Sequence, residues 1–354
     1  MRKNSNIESS TAPTSPPSGG LGGAGRLGGS FLILFILLIG FFLLDILFGS
    51  VMISFRDFIA AFSEESIFRE IIFNFRLPKA LTAILTGAAL SVAGLLMQTL
   101  FRNPLAGPDV LGVTSGASLG VSLVVMSAGL LPAFFVASGW GQVLGAVVGS
   151  TFILLIILAV SLRVSSAVSL LIIGIMFGSI TGSLVNILQS VSNPDALKIY
   201  IVWTFGSLGA VTWTFMKVML PIVLLGLFLA FSLQKRLNAI LLGEHYAQNL
   251  GVSIPQTRFF IILATSLLAG ATTAFTGPIA FIGVAVPHLA RGLFRSSDHR
   301  VTIPACMLCG AVLMLVCDLV SQLPGGGYTL PINSISALFG APLIIWVIFR
   351  KKQI

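Results

Sequence analysis

Long apolar segments follow one another along almost the whole chain, and short polar connections separate them. A bilayer is crossed by a helix of about 20 mostly apolar residues, and the segments have lengths near this value. The eighth segment is short for a full crossing. The pattern predicts an all-α polytopic membrane protein in which about ten transmembrane helices form a packed bundle. We place the spans at 31–50, 78–101, 110–128, 139–162, 167–189, 213–233, 259–276, 279–293, 303–323 and 332–349.

The composition supports a membrane protein and excludes a soluble one. Charged residues are 9% of the chain and hydrophobic residues are 56%, which leaves too few charges for a soluble surface. The formal net charge of +9 arises mainly from Lys and Arg at segment ends, where basic residues set membrane topology. We therefore expect membrane lipid around the chain and no nucleic acid as a partner.

The distribution of basic residues predicts the orientation of the spans. Most Lys and Arg fall on one side if both termini are cytoplasmic, as at Arg350, Lys351 and Lys352, and this agrees with the positive-inside rule. Residues 1–29 are rich in Ser, Thr, Pro and Gly, a composition typical of disorder. We predict a disordered cytoplasmic tail at 1–29 and a transmembrane domain at 30–354.

Three segments carry glycine at a spacing of four residues, which places each set on one helix face. Close backbone contact through small residues drives helix association in lipid. Helix packing alone explains the glycines, and so does packing around a transport pathway. The three sets are Gly112, Gly116 and Gly120; Gly141, Gly145 and Gly149; and Gly174, Gly178 and Gly182.

A loose internal echo suggests an inverted repeat, which is common in transporters. Gly107-Pro108 precedes one apolar segment, and Gly277-Pro278 precedes another. In the predicted topology the first pair is cytoplasmic and the second is external.

The longest predicted cytoplasmic loop, residues 234–258, has apolar and polar residues at helical spacing. Gly243 and Gly251 interrupt it, and glycine ends helices readily. We expect two short helices with an apolar face. This face could lie on the membrane surface, pack on the bundle or bind a partner.

Chemical motifs are scarce. The chain has no Gly-Lys-Ser/Thr sequence, so it lacks a P-loop for ATP. Cys306 and Cys309 form a C-x-x-C without a second ligand pair, so we expect no metal site, no cofactor and no catalytic residue. Asp45, Lys217 and Asp318 lie near span ends, where capping or snorkelling explains them. A secondary transporter would place acidic groups at mid-membrane, and a membrane enzyme would need paired catalytic groups.

Several motifs together resemble the FecCD-type permease subunits of ATP-driven importers for iron–siderophore, haem and vitamin B12. The resemblance extends from about Arg76 to Arg350. It rests on R-L-P-K at 76–79, Q-T-L-F-R-N-P-L-A-G-P-D-V-L-G-V-T-S-G-A at 98–117, L-G-E-H-Y-A-Q-N-L-G-V at 242–252, G-P-I-A-F-I-G-V-A-V-P-H-L-A-R at 277–291, D-H-R at 298–300 and G-A-P-L-I-I-W at 340–346.

The resemblance implies a homodimer in the cytoplasmic membrane, with ten spans per subunit and a pathway along the dimer axis. Two copies of a separate ATPase subunit would bind on the cytoplasmic side, so the chain itself would not be an enzyme. An external binding protein would deliver a metal chelate, either a ferric siderophore or haem. Vitamin B12 is the alternative substrate, and an ion-coupled secondary transporter is the alternative mechanism.

The resemblance also assigns roles to residues of this chain. It implies that Arg76 and Lys79 bind the external binding protein. A cytoplasmic gate is implied at Asn103, Leu105, Ser165 and Ser166. The loop 234–258 would couple to the ATPase, with an exposed apolar face of Leu242, Ala247 and Leu250 that fills a groove. The coupling residues are Leu242, Gly243, Glu244, Ala247, Leu250 and Gly251.

Two positions depart from the pattern of the family. Members often carry Arg four residues after the aspartate that is Asp318 here, whereas this chain has Gln322. They also often carry Glu where this chain has Thr329. One external basic anchor is therefore expected to be missing, and Asp318 is expected to lack an obvious partner.

Overall fold

The computed structural model describes residues 22–49, 53–60, 67–126, 139–164, 166–324 and 328–351. These residues form helices and connections, and no strand occurs among them. The helices are α1 Gly22–Leu47, α2 Phe55–Ala60, α3 Ile67–Glu70, α4 Leu77–Phe101, α5 Val113–Met126, α6 Trp140–Arg163, α7 Ala167–Val191, α8 Pro194–Thr204, α9 Trp213–Ser232, α10 Gln234–Leu241, α11 Glu244–Asn249, α12 Ile254–Thr276, α13 Ile282–Phe294, α14 His299–Ser321 and α15 Ile332–Lys351.

The apolar segments became helices as predicted. Within the described residues, seven helices are long and apolar enough to cross a membrane. Three shorter apolar helices, Val113–Met126, Ile282–Phe294 and Ile332–Trp346, occupy the third, eighth and tenth predicted spans. The all-α multi-pass architecture is therefore confirmed.

The structure differs from the prediction at the start of the first helix and in the connection before the sixth span. Helix α1 begins at Gly22, so residues 22–29 of the predicted tail are helical, and residues 1–21 lie outside the described part. The connection before the sixth span contains the unpredicted helix α8. It starts at Pro194, and Asn193 caps it by accepting a hydrogen bond from the Ala196 N–H at 2.8 Å. Both features favour a helix start.

Helices α4 and α12 form the centre of the bundle, and most of their residues are buried within the chain. In contrast, few residues of α1 and α7 are buried within the chain. Exposed apolar helices of spanning length need lipid or a partner chain around them.

Glycines bring α4 into backbone contact with two other helices. A Cβ atom on Gly87 would collide with the Gly310 carbonyl of α14, and one on Gly94 would collide with the Gly283 carbonyl of α13. Gly87 and Gly94 are two helical turns apart and lie near the same face. These contacts were not anticipated, because neither glycine belongs to a set with regular spacing.

The predicted glycine sets lie between α5, α6 and α7, with unequal contacts. Gly116 and Gly120 approach Gly145 and Gly149, so α5 and α6 are in backbone contact. In the third set, Gly174 touches the Val110 carbonyl, whereas Gly182 has open space around it. The buried Gly141 lies in the first turn of α6.

The two segments of the internal echo lie next to each other. A Cβ on Gly107 would approach the Val284 side chain at 2.9 Å, and one on Gly283 would approach Pro108 at 2.6 Å. Both contacts lie beside the second half of α4, where Gly94 meets Gly283. Gly277 itself lies beside Trp203 and Gly206, so the contact is made by residues that follow the second pair, and the sides assigned to the two pairs stay a prediction.

Candidate functional site: the coupling loop, the inner loop and the Lys79 cluster

The loop that is predicted to couple to an ATPase, residues 234–258 and here called the coupling loop, folds into the two predicted short helices. Helix α10 ends at Leu241, and α11 runs from Glu244 to Asn249. Gly243 between them has φ +125°, and Gly251 after α11 has φ +79°. Residues with a side chain rarely adopt these conformations, so the two glycines fix the shape of the loop.

The loop exposes large apolar side chains on its surface. Leu242 is 66% exposed, Leu250 58% and Tyr246 53%. Ala247 is fully buried, so the expectation that it belongs to the exposed face is wrong. The exposed face consists of Leu242, Tyr246 and Leu250, while Ala247 packs inside its own chain. The Ala247 carbonyl accepts a hydrogen bond from the Val252 N–H at 3.0 Å.

Polar contacts attach α10 to α14. Asn238 donates to the Asp298 carboxylate at 2.6 Å, and its Oδ1 accepts from the His299 N–H at 2.9 Å. Hydrogen bonds from the Arg300 N–H and the Asn238 amide lower the pKa of Asp298. The ionised carboxylate is favourable at the start of a helix.

His299 extends this attachment to α4. Its Nδ1 lies 2.7 Å from Asn238 Oδ1, and its Nε2 lies 3.0 Å from the Thr99 hydroxyl. The ring is buried. Because a carbonyl oxygen only accepts hydrogen bonds, Nδ1 carries the proton.

An arginine at the end of α4 makes a second attachment. Arg102 Nη2 donates to the Ile240 carbonyl of α10 at 2.8 Å. On the other side of the loop, Glu244 lies 3.8 Å from Arg258. Arg258 also donates to the Val164 carbonyl at 2.7 Å. The coupling loop therefore rests on α4, α14 and the end of α6.

The inner loop, residues 102–107, carries two of the predicted gate residues. Asn103 Oδ1 accepts from the Leu105 N–H at 2.9 Å, and the Leu105 side chain is 51% exposed. His288 Nε2 of α13 donates to the Pro104 carbonyl at 2.7 Å. Ser166 caps α7 by accepting from the Ser169 N–H at 3.3 Å. Ser165 lies outside the described residues.

The other end of α4 carries a buried charged group, here called the Lys79 cluster: Asp45, Arg76, Lys79, Asp318 and Gln322. Lys79 Nζ lies 2.7 Å from the Asp318 carboxylate and 3.6 Å from that of Asp45. The Gln322 amide bonds Asp318 at 2.9 Å and Asp45 at 3.1 Å. Asp318 therefore has two partners, and the expectation that it lacks one is wrong.

Arg76 belongs to the same cluster and is 6% exposed. Its Nη1 donates to the carbonyls of Ile46 and Leu47 at 2.6 and 2.8 Å. Both carbonyls belong to the last turn of α1, and the last carbonyl groups of a helix have no N–H donor within that helix. Arg76 thus caps α1, and Lys79 joins α1, α4 and α14.

An open cleft of about 470 Å³ adjoins the Lys79 cluster. Lys79, Asp318 and Gln322 line it together with Tyr328 and Thr329. The Lys79 side chain is 16% exposed, so a limited part of it reaches the cleft. Arg76 also borders the cleft, but most of its surface is buried.

Helix α7 exposes a polar stripe along an otherwise apolar span. Four polar residues are all exposed and lie on one face: Ser179, Ser183, Asn186 and Ser190. The serine hydroxyls donate to carbonyls of their own helix at 2.8 to 3.0 Å. The Asn186 amide has more donor and acceptor sites than a hydroxyl, so contact with lipid tails would be unfavourable.

Metal-binding clusters are absent from the described part of the chain. The C-x-x-C residues Cys306 and Cys309 are buried in α14, where burial and small size suit helix packing.

The family can be decided by comparison with known proteins. The sequence model of the FecCD transport family matches residues 36–350. The chain belongs to this family. The hemin transport system permease protein HmuU of Yersinia pestis is 34% identical over 86% of this chain and 90% of its own length. The Fe(3+) dicitrate transport system permease protein FecD of Escherichia coli is 32% identical over 80% and 86%.

Two further similarities agree with this assignment. The vitamin B12 import system permease protein BtuC of Klebsiella pneumoniae is 35% identical over 79% of this chain and 83% of its own length. A solved metal-chelate type ABC transporter in an inward-facing conformation has a TM-score of 0.81 and 28% identity, and covers 91% of this chain and 99% of that chain.

For this FecCD chain, sequence reasoning predicted the two short helices of the coupling loop but missed the contacts that attach them to α14 and α4. Asn238, His299 and Thr99 make these contacts, and only the D-H-R at 298–300 marked them in the sequence. The Lys79 cluster was also missed, since its members come from three distant segments.

Proposed function

We propose that this chain is the permease subunit of an ATP-driven importer in the cytoplasmic membrane, with both termini in the cytoplasm. Two copies would form the pathway, two ATPase subunits would bind the coupling loops and an external binding protein would deliver the substrate. The observation that carries this proposal is the exposed apolar face of the coupling loop, anchored on α4 and α14. Such a rigid apolar face on a chain without a P-loop suits a partner that supplies the energy.

The substrate class follows from the similar permeases, whose names refer to hemin, ferric dicitrate and vitamin B12. All three are metal complexes with organic ligands. We propose a ferric chelate or haem as the substrate, with vitamin B12 as the alternative.

The polar stripe of α7 supports a homodimer with a central pathway. Ser179, Ser183, Asn186 and Ser190 would face the pathway, where water or substrate satisfies the Asn186 amide. The open space at Gly182 lies on the same helix and would leave room there.

We also propose that the binding protein docks at Arg76 and Lys79, and that the two residues have different roles in this docking. Lys79 borders the cleft and can meet an acidic side chain at its exposed edge. Arg76 would act by holding the end of α1 in place, because its guanidinium is occupied by the Ile46 and Leu47 carbonyls.

Reconstitution in proteoliposomes tests the function. We expect the purified chain alone to hydrolyse no ATP and to import none of three probes: haemin, ferric citrate and cyanocobalamin. With the ATPase and binding protein of the same system, ATP-dependent import of at least one probe is expected. Hydrolysis by the chain alone, or import without ATP, would contradict the proposal.

Replacing Tyr246 or Leu250 with Asp is expected to detach the ATPase. Each change puts a charge on the exposed coupling face, and loss of one central contact in an interface costs on the order of 2 kcal/mol, about 30-fold in affinity. Affinity of the ATPase for detergent-solubilised permease measures this. Leu323→Asp is the control, because Leu323 is 77% exposed at the other end of the bundle. Equal affinity for all these variants would show that the loop does not bind the ATPase.

A further inference from the structure

Arg102 ends α4 in an unusual backbone conformation. Its φ is +47° and its ψ is +32°, the left-handed region that side chains normally avoid. The inner loop with Asn103 and Leu105 begins directly after Arg102.

The Arg102 side chain is bonded to the coupling loop. Its guanidinium donates to the Ile240 carbonyl at 2.8 Å, near the end of α10, and the last carbonyls of a helix favour a cation. The same carbonyl accepts the Gly243 N–H at 3.0 Å. A movement of the turn at Gly243 therefore acts directly on the Arg102 side chain.

The residues that follow Arg102 are held as a unit on a different helix. The Asn103 side chain accepts a hydrogen bond from the Leu105 N–H, and His288 of α13 donates to the Pro104 carbonyl. The inner loop is thus hydrogen-bonded to α13 through His288 and to the coupling loop through Arg102.

We infer that Arg102 is a positioning residue that transmits movement of the coupling loop to the inner loop. While the bond to Ile240 is made, the start of the inner loop is tied to α10 and moves with it. When the bond is lost, this tie is absent and the inner loop keeps its position on α13. This inference rests on the proposed function, since the ATPase supplies the movement, and it names the link between the two sites.

A second arginine provides a matched control. Arg295 ends α13 with φ +49° and is exposed, and its guanidinium has no hydrogen-bond or ion-pair partner among the described residues. Glycine accepts a positive φ without strain. Arg102→Gly and Arg295→Gly therefore both preserve the helix end, and only the first removes a link to α10.

The experiment measures how fast a maleimide modifies Leu105→Cys in the permease–ATPase complex in nanodiscs, without nucleotide and with ATP plus vanadate. The native cysteines Cys306, Cys309 and Cys317 are buried and give little background. With Arg102 present, we expect the rate to change about 10-fold with nucleotide, within the range of allosteric couplings. Arg102→Gly should reduce the change to less than about twofold, while Arg295→Gly retains it. Arg102→Lys keeps a donor and should restore most of the response.

The outcomes separate this inference from the proposed function. A full nucleotide response in Arg102→Gly would overturn the inference and leave the importer proposal intact. Loss of the ATPase from purified Arg102→Gly would also overturn it, because Arg102 would then be a docking contact. No response with Arg102 present would contradict an ATP-driven inner gate, and the inference would fail with it.

Discussion

Replacing Gly94 with alanine is expected to destabilise the bundle more than a Gly→Ala change at any other glycine that contacts a neighbouring helix. The new Cβ would collide with the Gly283 carbonyl, and the Gly283 Cα is 2.8 Å from the same point. Backbone atoms cannot rotate away as a side chain can, so α4 and α13 must separate. Overpacking typically costs about 1–3 kcal/mol and occasionally more, and we expect a value at or above the upper end.

Thermal unfolding in detergent measures this effect against Gly182→Ala as the control. Gly182 lies in a membrane-spanning helix like Gly94, but a Cβ there has open space. Gly182→Ala should leave the unfolding midpoint close to that of the native chain, because alanine also favours the helix. Equal midpoints for the two variants would show that α4 and α13 are less closely packed than the structure indicates.

The same contact relates stability to transport. Helix α13 carries His288, which holds the Pro104 carbonyl of the inner loop. Displacing α13 from Gly94 moves this anchor as well. A surviving Gly94→Ala protein is therefore expected to import poorly even at temperatures where it remains folded.

The helices of this fold were readable from the sequence because the bilayer imposes a length and a composition on each span. The glycine sets were readable for a similar local reason, since regular spacing marks one helix face. Gly87 and Gly94 gave no such signal. Their importance depends on Gly310 and Gly283, more than 180 residues away along the chain, and no local pattern encodes that pairing.

The site residues show the same limit more sharply. Helical spacing placed Ala247 with Leu242 and Leu250, and only the packing of α11 reveals that Ala247 is buried. Asp45 and Asp318 each resembled an isolated residue near a span end. Their shared partner Lys79 lies on a third helix, so the pairing emerges only after α1, α4 and α14 come together.

Removing the charge of Lys79 is expected to be among the most damaging changes outside the glycine contacts. In Lys79→Met, the carboxylates of Asp45 and Asp318 would remain buried close together and keep only the Gln322 amide as a shared donor. Breaking a buried ion pair by removing one partner costs about 3–5 kcal/mol, because the remaining charge is left uncompensated. The unfolding midpoint of purified protein should fall accordingly. Lys217→Met is the control, because Lys217 is exposed near the start of α9.

A second substitution distinguishes electrostatic loss from lost packing. Adding Asp318→Asn to Lys79→Met removes one of the two facing carboxyl groups, and the double variant should recover a substantial part of the lost stability. If both variants unfold at the same temperature, the cluster acts through side-chain packing rather than charge.

The recovered double variant also tests binding-protein docking, since its fold no longer depends on Lys79. If Lys79 binds the binding protein, the double variant should still bind it more weakly than the native chain does, and the difference should shrink at high salt. If the double variant and the native chain bind the binding protein equally well at all salt concentrations, Lys79 serves only to hold α1, α4 and α14 together.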